Sequence, residues 1–597
     1  MAKRPINYTS REFNSIKEDL VNYAQRYYPT TFKDFSEASF GSLMLDMVAY
    51  VGDQLSFYTD FQTNEGFLDS AIQYDSINRL SNILGYKTQG AAQSTGQVAF
   101  YVIVPADPNS RGPDLDYFPI LQNGTLVSSN NNSVFTLIED VDFTDPSNQI
   151  TVARTDTSTG NPTFFAVRAY GQVISGQRYT ETITIGDYIR FNKQKLSKEN
   201  ITEVLSVTDS QGNEYYQVDF LTQDVIIQEF RNTSSDRIAA PYVMKIKPVP
   251  RRFVTEHTPQ GETFVQFGYG SSDNLTGDVI ADPSDVVLDM SGRQYVSDLT
   301  FDPTNLIQSD KFGVVPTNTV LTVNYTANNT DDVNLAVDAL NNVVSPQLSF
   351  KNQALLDPAL VSSVISSIEV ENEEPILGDT SILTGEEVRQ RAYGTFASQN
   401  RAVTRTDYIN LIYRMPPKFG KIKRANVVRD VDSLKRNLNV YLLSENSAGN
   451  LVPPNQTLRE NTRIWLNKYR MINDTIDVLD AKVINIGINF KVLPELDVNR
   501  YELLETCVQK LKDEYLNIKF NVGEAVYISE IYKLLNDVPG VVDTMEVELF
   551  NKVGGLYSNY RFNIDSNLSD DGRFLLVPEN SAAEVLFPDT DIIGAVT

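Results

Sequence analysis

The sequence predicts a multidomain α+β protein with an N-terminal α-helical bundle segment, a β-rich middle region of one or two domains, and C-terminal α/β sandwich-type domains. Three observations support this prediction. Apolar residues recur at helical spacing within residues 1–95, short β-prone runs separated by turn residues fill residues 96–370, and helix-like and strand-like runs alternate in the last third. We place the domains at 1–95, 96–370, 371–455 and 456–597, which agrees with roughly 150 residues per domain.

Composition and charge exclude several classes of function. The chain of 597 residues carries a net charge of -26, so nucleic acid and anionic membrane surfaces would repel it. Its most apolar run, LMLDMVAYV, is interrupted by Asp46 and is too short to span a bilayer. The single cysteine, Cys507, allows no intramolecular disulfide. We therefore expect a protein made in the cytosol that neither binds nucleic acid nor inserts into a membrane.

The first predicted helix carries one narrow apolar seam. Thr9 and Glu12 form a T-x-x-E capping box, and behind it apolar residues recur at alternating spacings of three and four. The seam begins with Phe13, Ile16 and Leu20. Because helix bundles are built from facing apolar stripes, we predict that these three side chains contribute to a bundle.

The second predicted helix, residues 41–64, is apolar around most of its circumference. The exception is a narrow stripe in which Asp46, Asp53 and Asp60 follow at intervals of seven, and we expect this stripe to face either water or basic residues of a partner. Such a helix must be covered from several sides, and the third predicted helix, residues 70–84, covers only part of it. Helices of other chains are therefore expected to complete the bundle. The predicted partner-binding residues on these two helices are Met47, Val51, Leu55, Tyr58 and Leu80.

The C-terminal third predicts α+β domains that associate with copies of the same chain. After a polar linker at residues 372–387, helices are predicted at residues 385–398, 404–414, 458–471, 501–515 and 526–535. They interleave with the strand-like runs IKRANVVRDV, NLNVYLLSE, IDVLDAKVINIGINFKVL and VVDTMEVELF. The apolar runs VYISEIYKLL and VPGVV predict a self-association surface formed by Ile531, Leu534, Val538 and Val541.

The glycines of FVQFGYGSSDNLTG, residues 264–277, raise the question of a phosphate-binding loop. Such a loop needs a helix directly after the glycines, so that its N-terminal amides face the anion. The following residues carry two turn signals and no amphipathic helix, and the stretch contains no G-K-[ST]. We therefore interpret Gly268 and Gly270 as turn glycines with positive φ.

No other pattern of residues predicts an active site, a cofactor site or a metal site. The only histidine, His257, is interpreted as an exposed loop residue, and Cys507 as a small packing residue. The carboxylates Glu371, Glu373 and Glu374 lie in the predicted linker, where a charge run is solvated. We therefore expect a protein that is not an enzyme.

Several motifs resemble those of the baseplate J-like proteins of contractile-tailed phages (myoviruses). The shared order is a G-x-x-x-L-D helix, an E-x-F-L-x-x-A turn, a helix that ends in L-G-Y, and an A-x-S-x-G entry into a strand. The residues that carry this order are Gly41, Leu45, Asp46, Glu65, Phe67, Leu68, Ala71, Leu84, Gly85, Tyr86, Ala92, Ser94 and Gly96. The R-A-V-T segment at residues 401–404 and the length are most similar to the large wedge-ring subunits of T-even-type phages.

The resemblance implies a structural role in the virion, at the tail baseplate, after assembly in the host cytoplasm. Members of the family form the inner ring around the central hub, and the ring rearranges when sheath contraction is triggered. The implied partners are other wedge proteins through the N-terminal helices, copies of the chain through the C-terminal domain, and hub or sheath-initiating proteins. The alternative is a host-surface glycan-binding or glycan-cleaving tail protein, which the Asn, Ser, Thr and aromatic residues of the middle region indicate.

Overall fold

The computed structural model describes residues 12–30, 39–87, 89–108, 112–158, 160–231, 242–258, 261–270, 312–380, 383–399, 401–430, 437–496, 498–517 and 520–596. The chain divides into two compact units. Unit 1 comprises residues 1–88, 382–413 and 469–471, and unit 2 comprises residues 89–381, 414–468 and 472–597. Unit 1 is helical and unit 2 is rich in sheet, so the predicted multidomain α+β fold class is confirmed. The four predicted domain ranges stay predictions.

Unit 1 contains α1 (Phe13–Tyr27), α2 (Phe40–Glu65), α3 (Tyr74–Ile83), α5 (Gly385–Ser398) and α6 (Arg405–Tyr413). The predicted capping box of α1 lies partly outside the described residues, which do not include Thr9; Glu12, predicted as its second member, is the N-cap residue with extended backbone. A capping box is present in α5, where Thr384 and Glu387 each bind the other's backbone. The helix α3 starts later than predicted, and Gly85 behind it has a φ of 90°, as a C-terminal stop requires.

The β-rich part of unit 2 holds nineteen strands among the described residues. Their bounds are β1 (Thr95–Pro105), β2 (Pro119–Leu121), β3 (Leu126–Ser129), β4 (Val134–Leu137), β5 (Val141–Asp142), β6 (Gln149–Thr155), β7 (Pro162–Ser175), β8 (Gln177–Ile185), β9 (Lys193–Lys195), β10 (Ile201–Asp209), β11 (Glu214–Gln217), β12 (Val225–Arg231), β13 (Tyr242–Pro248), β14 (Arg252–His257), β15 (Thr263–Phe267), β16 (Thr319–Ala327), β17 (Leu340–Ser345), β18 (Leu348–Phe350) and β19 (Glu369–Glu371). The helix α4 (Pro358–Ser366) follows β18.

The first large sheet has the order β17-β3-β4-β7-β1-β19, and β6 pairs with β7 beside β4. Alternate residues of β1 and β7 point into one core, which includes Phe100, Val102 and Val167. The helix α4 packs on β1 and buries Val361 and Val364 in the same core. The second large sheet has the order β8-β16-β10-β11-β14-β15-β9 and its own core.

The predicted role of Gly268 needs a correction. Its backbone does not have positive φ; instead, a Cβ atom at this position would lie 1.9 Å from the carbonyl oxygen of Phe312. The strand end approaches residues 312–313 closely, because the amides of Tyr269 and Gly270 both donate to the carbonyl of Gly313. Gly268 is therefore required for a close approach of two backbones.

The C-terminal part of unit 2 is α+β. Its helices are α7 (Gln456–Asn467), α8 (Arg500–Asn517), α9 (Ile528–Asn536) and α10 (Pro588–Asp591). Its strands are β20 (Arg424–Arg429), β21 (Asn437–Glu445), β22 (Leu451–Val452), β23 (Thr475–Asp480), β24 (Lys482–Pro494), β25 (Val526–Tyr527), β26 (Val541–Asn551), β27 (Phe574–Leu575), β28 (Ser581–Glu584) and β29 (Ile592–Val596). The run predicted as one strand is divided at Ala481, where β23 pairs with β21 and β24 pairs with β26, β28 and β29.

The four residues predicted to form the C-terminal self-association surface lie in or against the core of their own domain. Ile531, Val538 and Val541 are buried there, and Leu534 packs against the same cluster. The helix α9 is strongly amphipathic, and it packs its apolar face against β26 and α8. These side chains stabilise the domain in this structure, so contacts between copies would use other residues.

Candidate partner-binding surface

The helices α1 and α2 pack against each other through the small residues of α2. Ser42 and Ala49 are buried, and a Cβ atom added to Gly52 would lie only 3.3 Å from the Cδ1 atom of Ile16. Small side chains allow the two helix axes to approach closely, because no bulky group separates them. Phe13, Ile16 and Leu20 of α1 are half-buried.

The aspartate stripe of α2 follows the same side of the helix as these small residues. Lys17 of α1 forms an ion pair with Asp46, with Nζ and Oδ1 2.7 Å apart. Asp46, Asp53 and Asp60 are all half-buried. The sequence predicted that the stripe faces water or a partner, whereas Asp46 binds a lysine of the same chain. The ion pair is partly solvated, so its contribution to stability is about 1 kcal/mol or less.

The large apolar residues of α2 are exposed on the opposite side. Met47 is 55%, Val51 54%, Leu55 61% and Tyr58 62% exposed. The same face continues with Phe40, Leu43, Met44, Val48, Tyr50 and Phe57. An exposed apolar surface of this extent is typical of interaction sites on folded proteins. Four of the predicted partner-binding residues are therefore accessible to a partner.

Leu80 has a different environment from those four residues. It packs against an intramolecular cluster formed by α3, α5 and the turn before α3, with the members Leu68, Ala71, Ile77, Tyr86, Val388 and Ala392. Arg389 of α5 fixes this turn, since its guanidinium donates to the carbonyls of Leu68 and Ala71. Leu80 thus contributes to the fold of unit 1 in this structure.

The turn after α2 is held by a buried carboxylate. Glu65 accepts hydrogen bonds from the backbone amides of Ile72, at 2.7 Å, and Gln73. Burial opposes ionisation, but these hydrogen bonds outweigh it and lower the pKa of Glu65. The E-x-F-L-x-x-A motif therefore encodes a turn in which the glutamate closes the loop between α2 and α3.

The interpretation of His257 as an exposed loop residue is wrong. His257 is the last residue of β14, is half-buried, and its Nδ1 atom lies 3.0 Å from the Thr263 hydroxyl. The ring packs on Gly90, where an added Cβ atom would lie 2.7 Å from it. Burial, together with the positive charge of Lys421, lowers the pKa of His257 to about 4. The histidine is a neutral packing residue at neutral pH.

Cys507 is a packing residue and the three glutamates are exposed, as the sequence predicts, but Glu371 does not lie in a linker because it is the last residue of β19. Cys507 is a residue of α8 whose side chain is buried in the core, and burial raises the pKa of its thiol. Glu371, Glu373 and Glu374 are exposed, and Glu373 pairs with Arg168. Among the residues that the structure describes, no cluster of three His, Cys, Asp or Glu side chains is arranged to hold a metal ion. None of the described helices is long and apolar enough to cross a membrane.

Residues 12–83 match the family model described as "Bacteriophage baseplate protein, N-terminal domain". This match supports a phage baseplate protein. The matched range contains α1, α2 and α3, and therefore the whole exposed apolar face of α2. The baseplate-like range is a small part of the chain, and none of the curated proteins matches the sequence.

One solved structure aligns with nearly the whole chain. It is titled "Cryo-EM structure of the anti-feeding prophage (AFP) baseplate, 6-fold symmetrised", and the alignment covers 97% of this chain and 99% of that chain. The sequence identity is 12% and the TM-score is 0.25. A TM-score of this size carries no conclusion about the present chain.

Proposed function

We propose that the chain is a structural, non-enzymatic subunit of the tail baseplate of a contractile-tailed phage. It acts as a wedge component of the inner ring around the hub, binds other wedge proteins through its N-terminal helices, and rearranges when sheath contraction is triggered. It also contacts copies of itself through the C-terminal domain, and hub or sheath-initiating proteins. The observation that carries the proposal is the exposed apolar face of α2 inside the range that matches the baseplate model.

The spacing on α2 indicates what kind of partner fits this face. The exposed apolar residues of α2 form two seams with heptad spacing. The first seam consists of Leu43, Met47, Tyr50 and Phe57. The second seam is shifted by one residue toward the C-terminus and consists of Met44, Val48, Val51, Leu55 and Tyr58. The second seam alternates spacings of four and three residues throughout, and the first does so except that Gln54 occupies the position between Tyr50 and Phe57; this is the spacing that a facing helix requires. Since α1 already covers the side of Gly52, two further helices would complete a bundle around α2.

The free energy available from this face is large enough for a stable complex. Fully burying one Leu, Met or Phe side chain contributes about 1.5–3 kcal/mol, and these side chains are about half exposed in the chain alone. Nine exposed residues on the two seams would then contribute on the order of 10 kcal/mol before the cost of association is subtracted. The acidic chain gains solubility before assembly from its charge of -26.

Native mass spectrometry of the chain, alone and mixed with the other baseplate proteins of its phage, tests the proposal. We expect a discrete complex with a second wedge protein. The proposal would be contradicted if the chain formed only a homotrimer and no complex with the baseplate proteins. If this trimer also bound or cleaved host-surface glycans, the glycan alternative would be supported.

A further inference from the structure

The strand β6 is exposed along its whole length on both faces. In the described part of the chain it pairs only with β7, so its other edge is open. Ile150, which is 45% exposed, and Val152, which is 53% exposed, lie opposite the core residues Val167 and Phe165. Ile150 and Val152 therefore continue the apolar core face of the first sheet onto its edge strand β6.

The open edge of β6 presents the backbone groups of Ile150 and Val152. The amide of Ala106 donates to the carbonyl of Thr163, so odd-numbered residues of this part of β7 point toward β1 and even-numbered residues point toward β6. The even-numbered residues Ala166 and Arg168 face Thr151 and Gln149 of β6. The N–H and C=O groups of Ile150 and Val152 consequently point away from β7.

Two other terminal strands of the described sheets, β9 and β23, carry exposed charged residues. The short edge strand β9 carries Lys193 and Lys195, and β23 carries Asp477 and Asp480, all exposed. Charged side chains at an edge prevent unwanted strand addition. The sequence of β6, QITVART, contains no acidic residue and no lysine, although the chain has 77 acidic residues. The strand β6 lacks the protection that β9 and β23 have.

We propose that β6 pairs with β6 of a second copy, in an antiparallel arrangement with the two-fold axis at Thr151. This register places Ile150 opposite Val152 of the second copy, and Val152 opposite Ile150, so the four apolar side chains lie on one face of a continuous sheet. It also uses the outward N–H and C=O groups of both residues for hydrogen bonds between the copies. Arg154 lies opposite Asn148 of the second copy, so no like charges meet.

The pairing is weak for two free chains and becomes effective when copies are held close together. Two strands of seven residues bury less than the roughly 1,200 Å² that stable interfaces need. An assembly that already holds two copies supplies a high effective concentration for the second contact. In this respect the inference rests on the proposed function, which places copies of the chain next to each other.

Disulfide crosslinking between introduced cysteines tests the register. The native Cys507 is buried and does not compete with an introduced cysteine on the exposed strand β6. Across a non-hydrogen-bonded antiparallel pair the Cα atoms are about 4.5 Å apart, which a disulfide can bridge. Thr151→Cys is therefore expected to give a covalent dimer on mild oxidation, both in the concentrated chain and in the assembled baseplate. The matched control is Val152→Cys on the same exposed strand, which lies opposite Ile150 and is expected to give little dimer.

The crosslinking yields of the two cysteine variants decide between the proposed pairing and its alternatives. No dimer of the Thr151→Cys chain above the control, in solution and in assemblies, would overturn it. Equal crosslinking of both variants would overturn the register, and a crosslink to a different baseplate protein would replace the second copy by that protein. The Ile150→Glu, Val152→Glu double variant should lose the Thr151→Cys dimer.

The same double variant separates this inference from the proposed function. It should still form the complex with other baseplate proteins through α2, because β6 belongs to unit 2 and α2 to unit 1. If the chain crosslinks at Thr151 and binds no baseplate protein, the proposed function fails and the strand pairing stands. If the chain binds baseplate proteins and gives no crosslink, the strand pairing alone fails.

Discussion

Replacing Met47 by aspartate tests the partner-binding role of α2. In the free chain Met47 is 55% exposed, so a partner helix would bury about half of its side chain, which is worth about 1 kcal/mol. The introduced carboxylate would be enclosed without a basic partner, and an uncompensated buried charge costs about 3–5 kcal/mol. The sum is about 4–6 kcal/mol, which corresponds to association weaker by roughly a thousandfold or more.

The free chain should tolerate the same substitution. Because Met47 lies on the exposed face, Met47→Asp removes few contacts there, and the lower helix propensity of aspartate costs about 0.5 kcal/mol. Leu355→Asp is the matched control, since Leu355 is 85% exposed and belongs to unit 2. Co-purification with baseplate proteins measures association, and circular dichroism melting measures stability. A Met47→Asp chain that melts normally and binds its partners as tightly as the Leu355→Asp chain would refute the reasoning.

The remaining predictions concern packing and pH. Gly52→Leu should raise the intrinsic helix propensity of α2 but displace Ile16, and hydrogen exchange should show loss of protection in α1. Ile531→Ala should lower the free energy of unfolding by about 2–5 kcal/mol in denaturant melts, without changing the oligomeric state. Asp379 lies in unit 2, between β19 and α5 in the chain, and burial raises its pKa to about 6, whereas burial lowers the pKa of His257 to about 4. Below pH 6 the folded state takes up a proton at Asp379, which stabilises it, and the unfolded state takes up a proton at His257, which destabilises the fold. Melts between pH 6 and 4 should therefore show stability rising for His257→Gln and falling for Asp379→Asn as the pH is lowered, and the same slope in both variants would contradict these assignments.

The sequence predicts the helices of unit 1 well because their apolar spacing is strong. Residues 41–64 were predicted as α2, and the structure has Phe40–Glu65. The side on which α1 docks could not be predicted, because hydrophobicity alone favours the large residues Met47 or Tyr58 over Gly52. Close packing decided the contact: the glycine admits Ile16, whereas the large side chains stay outside.

In the C-terminal domain the prediction of elements succeeded and the prediction of the surface did not. The helix α9 and the strand β26 lie where the sequence places them. The apolar runs of these elements are needed to build the domain's own core, because α9 packs on β26 and α8 packs on β29 of the same sheet. A single sequence cannot distinguish residues buried within a domain from residues buried between copies, since both are apolar and regularly spaced. The break at Ala481 was equally invisible, because no glycine or proline marks it.

The exposed apolar residues of α2 connect the stability of the N-terminal helices to the binding of further helices. In the described part of α1 no residue is fully buried, so α1 alone gives α2 little apolar cover. Most of the stabilisation that the large residues of α2 can provide is released only when further helices bind. The net charge of -26 opposes non-specific association of these faces in the free chain. On the proposed function, a partner that binds the apolar seams would also stabilise the helical unit, so binding and full folding of the N-terminal helices would be thermodynamically linked.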